Sequence, residues 1–454
     1  MRNESATTEW DAIKRRGILG GIAGGFITIV GSTPGKAHDK DDHDGGPPHR
    51  IEIVDDPYEE IDWDGVEYHK SEFHNHSHRF RDSSRDHDGP SAVAELYQGS
   101  GTDRDNGNTL PDGEEYTIFA TADKGYDPMA WPWTDYESID YSDAPGGYRD
   151  PINLDPASMG VVSFPGAEIA GSDEHVSSIF STFSHGRGYQ ATRHEKIEDV
   201  IENETGDHVP SENGGIVVMG HPFRYYDDPD ADWDRYVPDF DRWSNEDGLV
   251  GLEVLNKESS PSRGGNLQDI TLWDNLLSHY APERPMWATG VDDPGLYGFN
   301  VGDYVDTRWT TILLNSGEFD LSDQHGTRIS AADAFINGQL FAHERPPWDA
   351  DSEDPPTVPH VISIDINHNA GMITIAAEHA DTIEWVSEGD VVETGSRIKL
   401  REAHEPYVRA QLSNDAGGLT LTQPWSLVAN HPRQSGQGRG RGGGQERGKG
   451  NRQD

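Results

Sequence analysis

Phe73-His74-Asn75-His76-Ser77 carries two histidines one residue apart, directly after a large apolar side chain. On an extended segment side chains alternate between faces, so His74 and His76 point to the same side and both imidazoles can reach one divalent cation. In a chain with 21 histidines, the pair alone also fits a solvated strand end. Its weight comes from a series of similar punctuations downstream. Tyr116–Ala122 is an apolar run that stops at Asp123-Lys124, and Gly160–Phe164 leads into Pro165-Gly166-Ala167-Glu168, with His175 seven residues later. Gly215–Met219 ends in Gly220-His221-Pro222, Gly248–Leu255 ends in Asn256, and Met286–Val291 ends in Asp292-Asp293. Each reads as a buried strand that terminates at a metal-compatible or hydrogen-bonding side chain.

Helical stretches are expected between several of these strands, at Ser91–Tyr97, His194–Glu202 and Leu267–His279. Strands alternating with helices, with functional groups at the strand C-termini, are the pattern of a (β/α) barrel. Glu168 stands out within it. It lies inside the apolar run Phe164–Ala170, where an unpaired carboxylate would be costly to bury and a metal would satisfy it.

The order His74-x-His76, Asp88-Gly89, Pro165-Gly166-x-Glu168, Gly220-His221-Pro222 and Asp292-Asp293 resembles the PHP (polymerase and histidinol phosphatase) superfamily, and within it the exported CehA/McbA-like metallohydrolases. Thr310–Leu314, Ala331–Phe341 and Pro406–Gln411 resemble the end of that branch, so the likeness spans residues 65 to 428. It implies an α/β fold: a distorted β7α7 TIM-like barrel over residues 64–345, followed by a small C-terminal β-sandwich over 360–430. It also implies one to three divalent metals (Zn, Mn or Fe) held by His74, His76, Asp88, Glu168, His175, His221 and one of Asp292 or Asp293. The reaction expected is hydrolysis of a small-molecule phosphate ester by a metal-activated water, with Lys124 and Arg224 gripping substrate oxygens and Asn256 as a substrate contact. Carbamate or other ester hydrolysis is the neighbouring chemistry on the same scaffold.

Two positions depart from the family pattern. Lys124 stands where a histidine ligand is expected, and Asp292-Asp293-Pro294-Gly295 lacks the histidine of the last motif. A protonated lysine binds no metal but can hold a phosphate. The departures also motivate a different class, a non-catalytic surface protein that binds anions or glycans on a decayed barrel. Blander readings stand beside each motif. Gly220-His221-Pro222 also suits a strand-to-turn junction, Asp292-Asp293 a simple strand end, and Asn256 a turn. Asp82, Asp86 and His87 compete with Asp88 on one loop.

Asp plus Glu number 82 against 36 Lys plus Arg, a formal charge of −46. Such an excess self-repels in dilute buffer and is screened in molar salt, where the Debye length falls to about 3 Å. The composition points to a halophile, expected to be archaeal, and away from nucleic-acid binding. Twelve Trp, sixteen Tyr and regular apolar strands argue against an acidic disordered chain. With no cysteine, any metal site must be built from His and carboxylate.

At the N-terminus, Lys14-Arg15-Arg16 precedes the apolar run Gly20–Val30 and then Gly35-Lys36-Ala37. Residues 1–37 read as a twin-arginine export signal, giving an extracellular or cell-surface protein with no stable membrane span after cleavage. Residues 38–63 read as an acidic His-rich linker, and Tyr126–Asp155 as an aromatic insertion forming a lid or substrate wall. Alternation at Val361–Ile366, Met372–Ala376, Ile383–Val386, Ile398–Leu400 and Val408–Leu412 predicts short strands. Residues 434–454 form a Gly/Arg tail expected to be disordered.

Overall fold

The computed structural model describes residues 50–76, 96–101, 108–120, 122, 157–171, 174–181, 183, 190–202, 215–226, 228–245, 247–256, 265–294, 301–303, 305–351 and 354–430. The expected export signal, residues 38–49 of the expected linker, Asp88, Lys124, the Tyr126–Asp155 stretch and the Gly/Arg tail lie outside them. Among the described residues no helix is long and apolar enough to cross a membrane.

Strands dominate. The first half of the chain supplies β1 (Arg50–Asp55), β2 (Val66–Glu72), β3 (Ile118–Phe119), β4 (Val162–Ser163), β5 (Gly166–Ile169), β6 (Val176–Ile179), β7 (Ile216–Met219), β8 (Leu249–Asn256) and β9 (Trp287–Val291). Then come β10 (Arg308–Asn315), β11 (Leu340–Glu344), β12 (His360–Asn367), β13 (Met372–Glu378), β14 (Thr382–Ser387), β15 (Asp390–Thr394), β16 (Arg397–Lys399), β17 (Tyr407–Ser413), β18 (Leu419–Thr422) and β19 (Trp425–Asn430). Among the described residues, helices of ten residues or more are Arg193–Glu202, Gly265–Tyr280 and Gln324–Asn337.

The expected β7α7 barrel is not what forms. A five-stranded sheet runs β5-β6-β7-β8-β9, and a separate mixed sheet runs β1-β19-β17-β18-β11-β10-β2-β3-β4, so among the described residues no barrel closes. The physical reason lies in the connections. A parallel neighbour needs a crossover, usually helical, whereas an antiparallel neighbour needs only a turn. β7, β8 and β9 are parallel, as are β2, β3 and β4, but β5 pairs antiparallel to β6 and β6 antiparallel to β7. Glu168 pairs with Ser177 in that hairpin, so the described residues from Pro165 to Ile179 include two antiparallel strands where a parallel neighbour was expected. β10 likewise enters antiparallel between β2 and β11.

Two boundaries also differ from expectation. Residues 50–55, assigned to a linker from sequence, form β1 and pair antiparallel with β19, Arg50 opposite Asn430. The strands expected after residue 360 are present, and β12, β13 and β16 form their own sheet. The others are not a module apart, because β18 pairs with β11 and joins them to the sheet that carries β2. Residues from both stretches share one core: Leu313 and Phe341 pack with Val361, Trp385, Val408 and Trp425.

Helix Gly265–Tyr280 covers β8 with Leu272, Trp273, Leu276 and Leu277, a spacing that puts all four on one side of a 3.6-residue helix. Gln324–Asn337 starts at Asp323, whose carboxylate accepts from the Gly326 amide, and ends at Gly338 with φ 73°. A side chain at Gly338 would also meet the Trp287 ring at 2.7 Å, so glycine is required twice over.

The helix Gly265–Tyr280 is tied to the C-terminal strands by a buried ion pair. Arg409 donates to both oxygens of Asp274, Nε at 2.8 Å and Nη2 at 2.7 Å, and the Tyr407 hydroxyl donates to Oδ1 at 2.8 Å. Removing one partner of such a pair leaves an uncompensated charge in the interior. Asp274→Ala is expected to cost about 3–5 kcal/mol in denaturant unfolding and to lower a single transition that includes the site-bearing sheet. A second transition confined to residues 360–430 would show that the C-terminal strands fold apart.

Candidate metal centre

The parallel order of β7, β8 and β9 brings their C-terminal ends to one edge of the sheet. His221 follows β7 after Gly220, Glu253 and Asn256 lie on β8, and Asp292-Asp293 follows β9. His175 stands just before β6, which runs the other way, so a residue ahead of that strand reaches the same edge. The end of β2 and the segment after it are fastened to this edge by hydrogen bonds. The Asp292 amide donates to Glu72 Oε2 at 2.9 Å, the Ala122 amide to the Asn75 carbonyl at 2.7 Å, and the Glu168 amide to the Ala122 carbonyl at 3.3 Å.

Glu168 sits at the centre, fully buried. Its Oε2 lies 3.0 Å from His76 Nε2 and 3.3 Å from His74 Nε2. Its Oε1 lies 3.0 Å from His221 Nε2 and in close contact with His175 Nδ1. Asp293 Oδ1 completes the first side, 3.2 Å from His76 Nε2 and 3.5 Å from His74 Nε2. Three overlapping groups result: His74, His76 and Glu168; His74, His221 and Asp293; and Glu168, His175 and His221. These buried groups can hold a metal ion. The spacing fits one. Atoms bound to a common ion at about 2.0–2.2 Å stand roughly 2.8–3.6 Å apart at octahedral or tetrahedral angles. The four contacts among His74, His76, Glu168 and Asp293 fall at 3.0–3.5 Å.

The electrostatics agree. Burial alone would raise the pKa of Asp293, but His74 and His76 beside it hold the carboxyl well below its ordinary range. Burial likewise opposes the charge on Glu253, and His74, His221 and Ser177 outweigh it to leave that group below its usual value. Burial pushes His221 down to about 4, which keeps its imidazole neutral and able to ligate at neutral pH.

Of the residues expected from sequence, the fold brings together His74, His76, Glu168, His175, His221 and Asp293. Asp88 and Lys124 lie outside the described residues. Asp292 is a correction: its carboxylate is spent on the chain. Oδ1 accepts from the amides of Thr307 and Arg308 at 3.0 and 2.9 Å and from the Thr307 hydroxyl at 3.0 Å, while Oδ2 accepts from the Asp306 amide at 2.7 Å. It is a loop anchor next to Asp293. Asn256 is buried and donates to Glu253 Oε2 at 2.9 Å. Arg224 is exposed on the turn Pro222–Tyr225, with Nη1 3.5 Å from His221 Nε2.

Sequence reasoning missed two glutamates. Glu72 Oε1 accepts from the His74 amide at 2.6 Å and its Oε2 from the Asp292 amide, clamping two ligand-bearing segments together. Glu253 is in contact with four groups, three of them donors. Both are acids beside or within apolar strands, the same signal that singled out Glu168.

No protein-family model, no curated protein and no solved structure matches this chain. The site is therefore read from its own geometry.

His221 makes the metal-free protein sensitive to acid. Its pKa falls from 6.5 in the unfolded chain to about 4 in the fold, so between these values the unfolded state binds more protons. Stability is at its full value above pH 6.5 and is lost as pH falls toward 4, by roughly 3 kcal/mol from this group at 1.36 kcal/mol per pKa unit. His221→Asn is expected to flatten the stability–pH curve over that window by about this amount. His69 and His343, also lowered by burial, leave a residual slope of the same sign. An unchanged curve, followed by denaturant midpoints in chelator, would show that His221 is not buried neutral.

Proposed function

We propose that this chain is a metal-dependent hydrolase acting on phosphate esters. The observation that supports it most is the meeting of four imidazoles and two carboxylates around Glu168. The two oxygens of Glu168 divide the cluster into two ligand sets that share it. His74, His76, Asp293 and Oε2 would hold one ion, and His175, His221 and Oε1 a second. Imidazole with carboxylate and no thiolate suits Zn, Mn or Fe. Bound there, such ions would acidify a water and neutralise developing charge on a phosphoryl oxygen.

The chain's own residues supply the rest. His74, His221 and Glu168 are wholly buried, whereas the His175 side chain keeps 15% of its surface, so substrate would enter on the His175 side. Arg224 stands on that side next to His221, and its planar guanidinium can grip two phosphate oxygens at once. The Tyr225 ring, 5.7 Å from that of His175 and 5.8 Å from that of His221, would wall the entrance. The motif order that resembles the PHP superfamily supports the same chemistry. The Lys14–Ala37 pattern supports export, with the ions loaded before translocation of the folded protein.

Protein purified in high salt and analysed for metals is expected to carry stoichiometric Zn, Mn or Fe and to hydrolyse p-nitrophenyl phosphate or its diester. Glu168→Ala is expected to lower metal content and to reduce turnover by more than ~100-fold, beyond what loss of a supporting contact costs. Absence of stoichiometric metal, with Glu168→Ala and His74→Ala equal to wild type, would overturn the reading. Turnover of naphthyl carbamates alone would replace the phosphoesterase with a carbamate hydrolase.

A further inference from the structure

Glu253 lies in the middle of β8, wholly buried, on a strand whose eight residues are all buried. Its Oε1 is 2.6 Å from His74 Nδ1 and accepts from the Ser177 hydroxyl at 2.6 Å. Its Oε2 accepts from the His221 amide at 2.9 Å and from Asn256 Nδ2 at 2.9 Å. Ser177 Oγ also lies 3.3 Å from His74 Nδ1. An ionised carboxylate offers about four lone-pair sites and no donor. Four groups surround these two oxygens, and the Ser177 hydroxyl, the His221 amide and the Asn256 amide all arrive as donors. At 2.6 Å the fourth contact needs a proton as well, and with the carboxylate filled by donors that proton belongs to His74 Nδ1.

We infer that Glu253 is the positioning residue that selects the working tautomer of His74 and fixes the His221 backbone, an assignment that rests on the metal-centre reading above. With the proton on Nδ1, the neutral imidazole keeps its lone pair on Nε2, the atom that faces Glu168 Oε2 and Asp293 Oδ1. The opposite tautomer would set a lone pair against a carboxylate oxygen at 2.6 Å and cap Nε2 with hydrogen. The same carboxylate reaches the second ligand set through its backbone. His221 has φ 28°, an unfavourable conformation for a residue with a side chain, and its amide is held by Glu253 Oε2. One carboxylate thus orients a ligand in each of the two sets without touching an ion. Such partners orient ligand rings and raise their basicity, and losing one typically lowers metal affinity about 10–100-fold.

The test has two arms. In wild-type protein labelled with 15N-histidine, long-range 1H–15N spectra are expected to show His74 carrying a proton at Nδ1. A His74 ring protonated at Nε2 with Nδ1 bare would overturn the assignment. In the second arm, Zn2+ titration is expected to give Glu253→Gln an affinity about 10–100-fold below wild type. The amide must turn its NH2 toward one donor pair, either His74 and Ser177 or His221 and Asn256. Ser177→Ala leaves the His74–Glu253 bond in place and is expected to keep the tautomer and bind Zn2+ close to wild type. Equal affinity in a folded Glu253→Gln protein would overturn the role. If wild type binds no Zn2+, the metal-centre reading fails, while the histidine spectra still decide whether Glu253 sets the tautomer. A Glu253→Gln chain that does not fold leaves the wild-type spectra as the deciding arm.

Discussion

A carboxylate with no exposure to water, placed among four histidines, is the constraint around which this chain is arranged. Glu168 cannot be stable as an isolated buried charge, since transfer of an ionised group to a low-dielectric interior costs many kcal/mol unless it is paired or ligating. Four separate segments therefore end around it. The loop after β2 brings His74 and His76, the β5–β6 link brings His175, and the ends of β7 and β9 bring His221 and Asp293. Each segment is short and polar at its tip and apolar behind, so the strands supply the burial and the tips supply the chemistry.

The ligand tips do not hold themselves. His221 and Asp293 both have positive φ, 28° and 43°, each costing about 1–3 kcal/mol and persisting only where the surroundings over-determine the backbone. The structure shows what does so. Glu253 takes the His221 amide, Glu72 takes the amides of His74 and Asp292, and Asp292 takes the amides of residues 306–308. Three buried acids thus form a frame of backbone clamps one layer behind the ligand atoms. Tyr97 and Tyr116 hydroxyls approach Asp292 Oδ2 at 3.3 and 3.5 Å and extend the frame into an aromatic core.

Much of the site was legible from local sequence because its signals are local. The one-residue spacing of His74 and His76 puts both rings on one face, and both do reach Glu168 Oε2. Glu168 was legible as an acid in an apolar run. Glu253 sits in Leu249–Asn256 under the same rule, but no histidine or proline stands beside it, and three of its four partners are 32 to 179 residues away. The choice between Asp292 and Asp293 could not be made from spacing, since it depends on where residues 306–308 pass. The barrel expectation failed at a tertiary level. Apolar runs ending in functional groups show that strands converge, but they do not say whether neighbours are parallel. The hairpin of β5 and β6 and the insertion of β10 between β2 and β11 carry that information only through pairing. The C-terminal strands were readable from alternation, whereas their pairing to β11 through β18 was not.

The charge of −46 makes metal binding by itself a weak criterion, because exposed carboxylates also collect divalent ions. What separates the proposed centre from such adventitious binding is its nitrogen content and its burial from bulk salt. X-ray absorption of the zinc-loaded protein in molar salt reads this directly. The account predicts a nitrogen and oxygen shell at about 2.0–2.1 Å with the multiple-scattering signature of several imidazoles. A shell of oxygen alone, or no tightly held zinc, would contradict it.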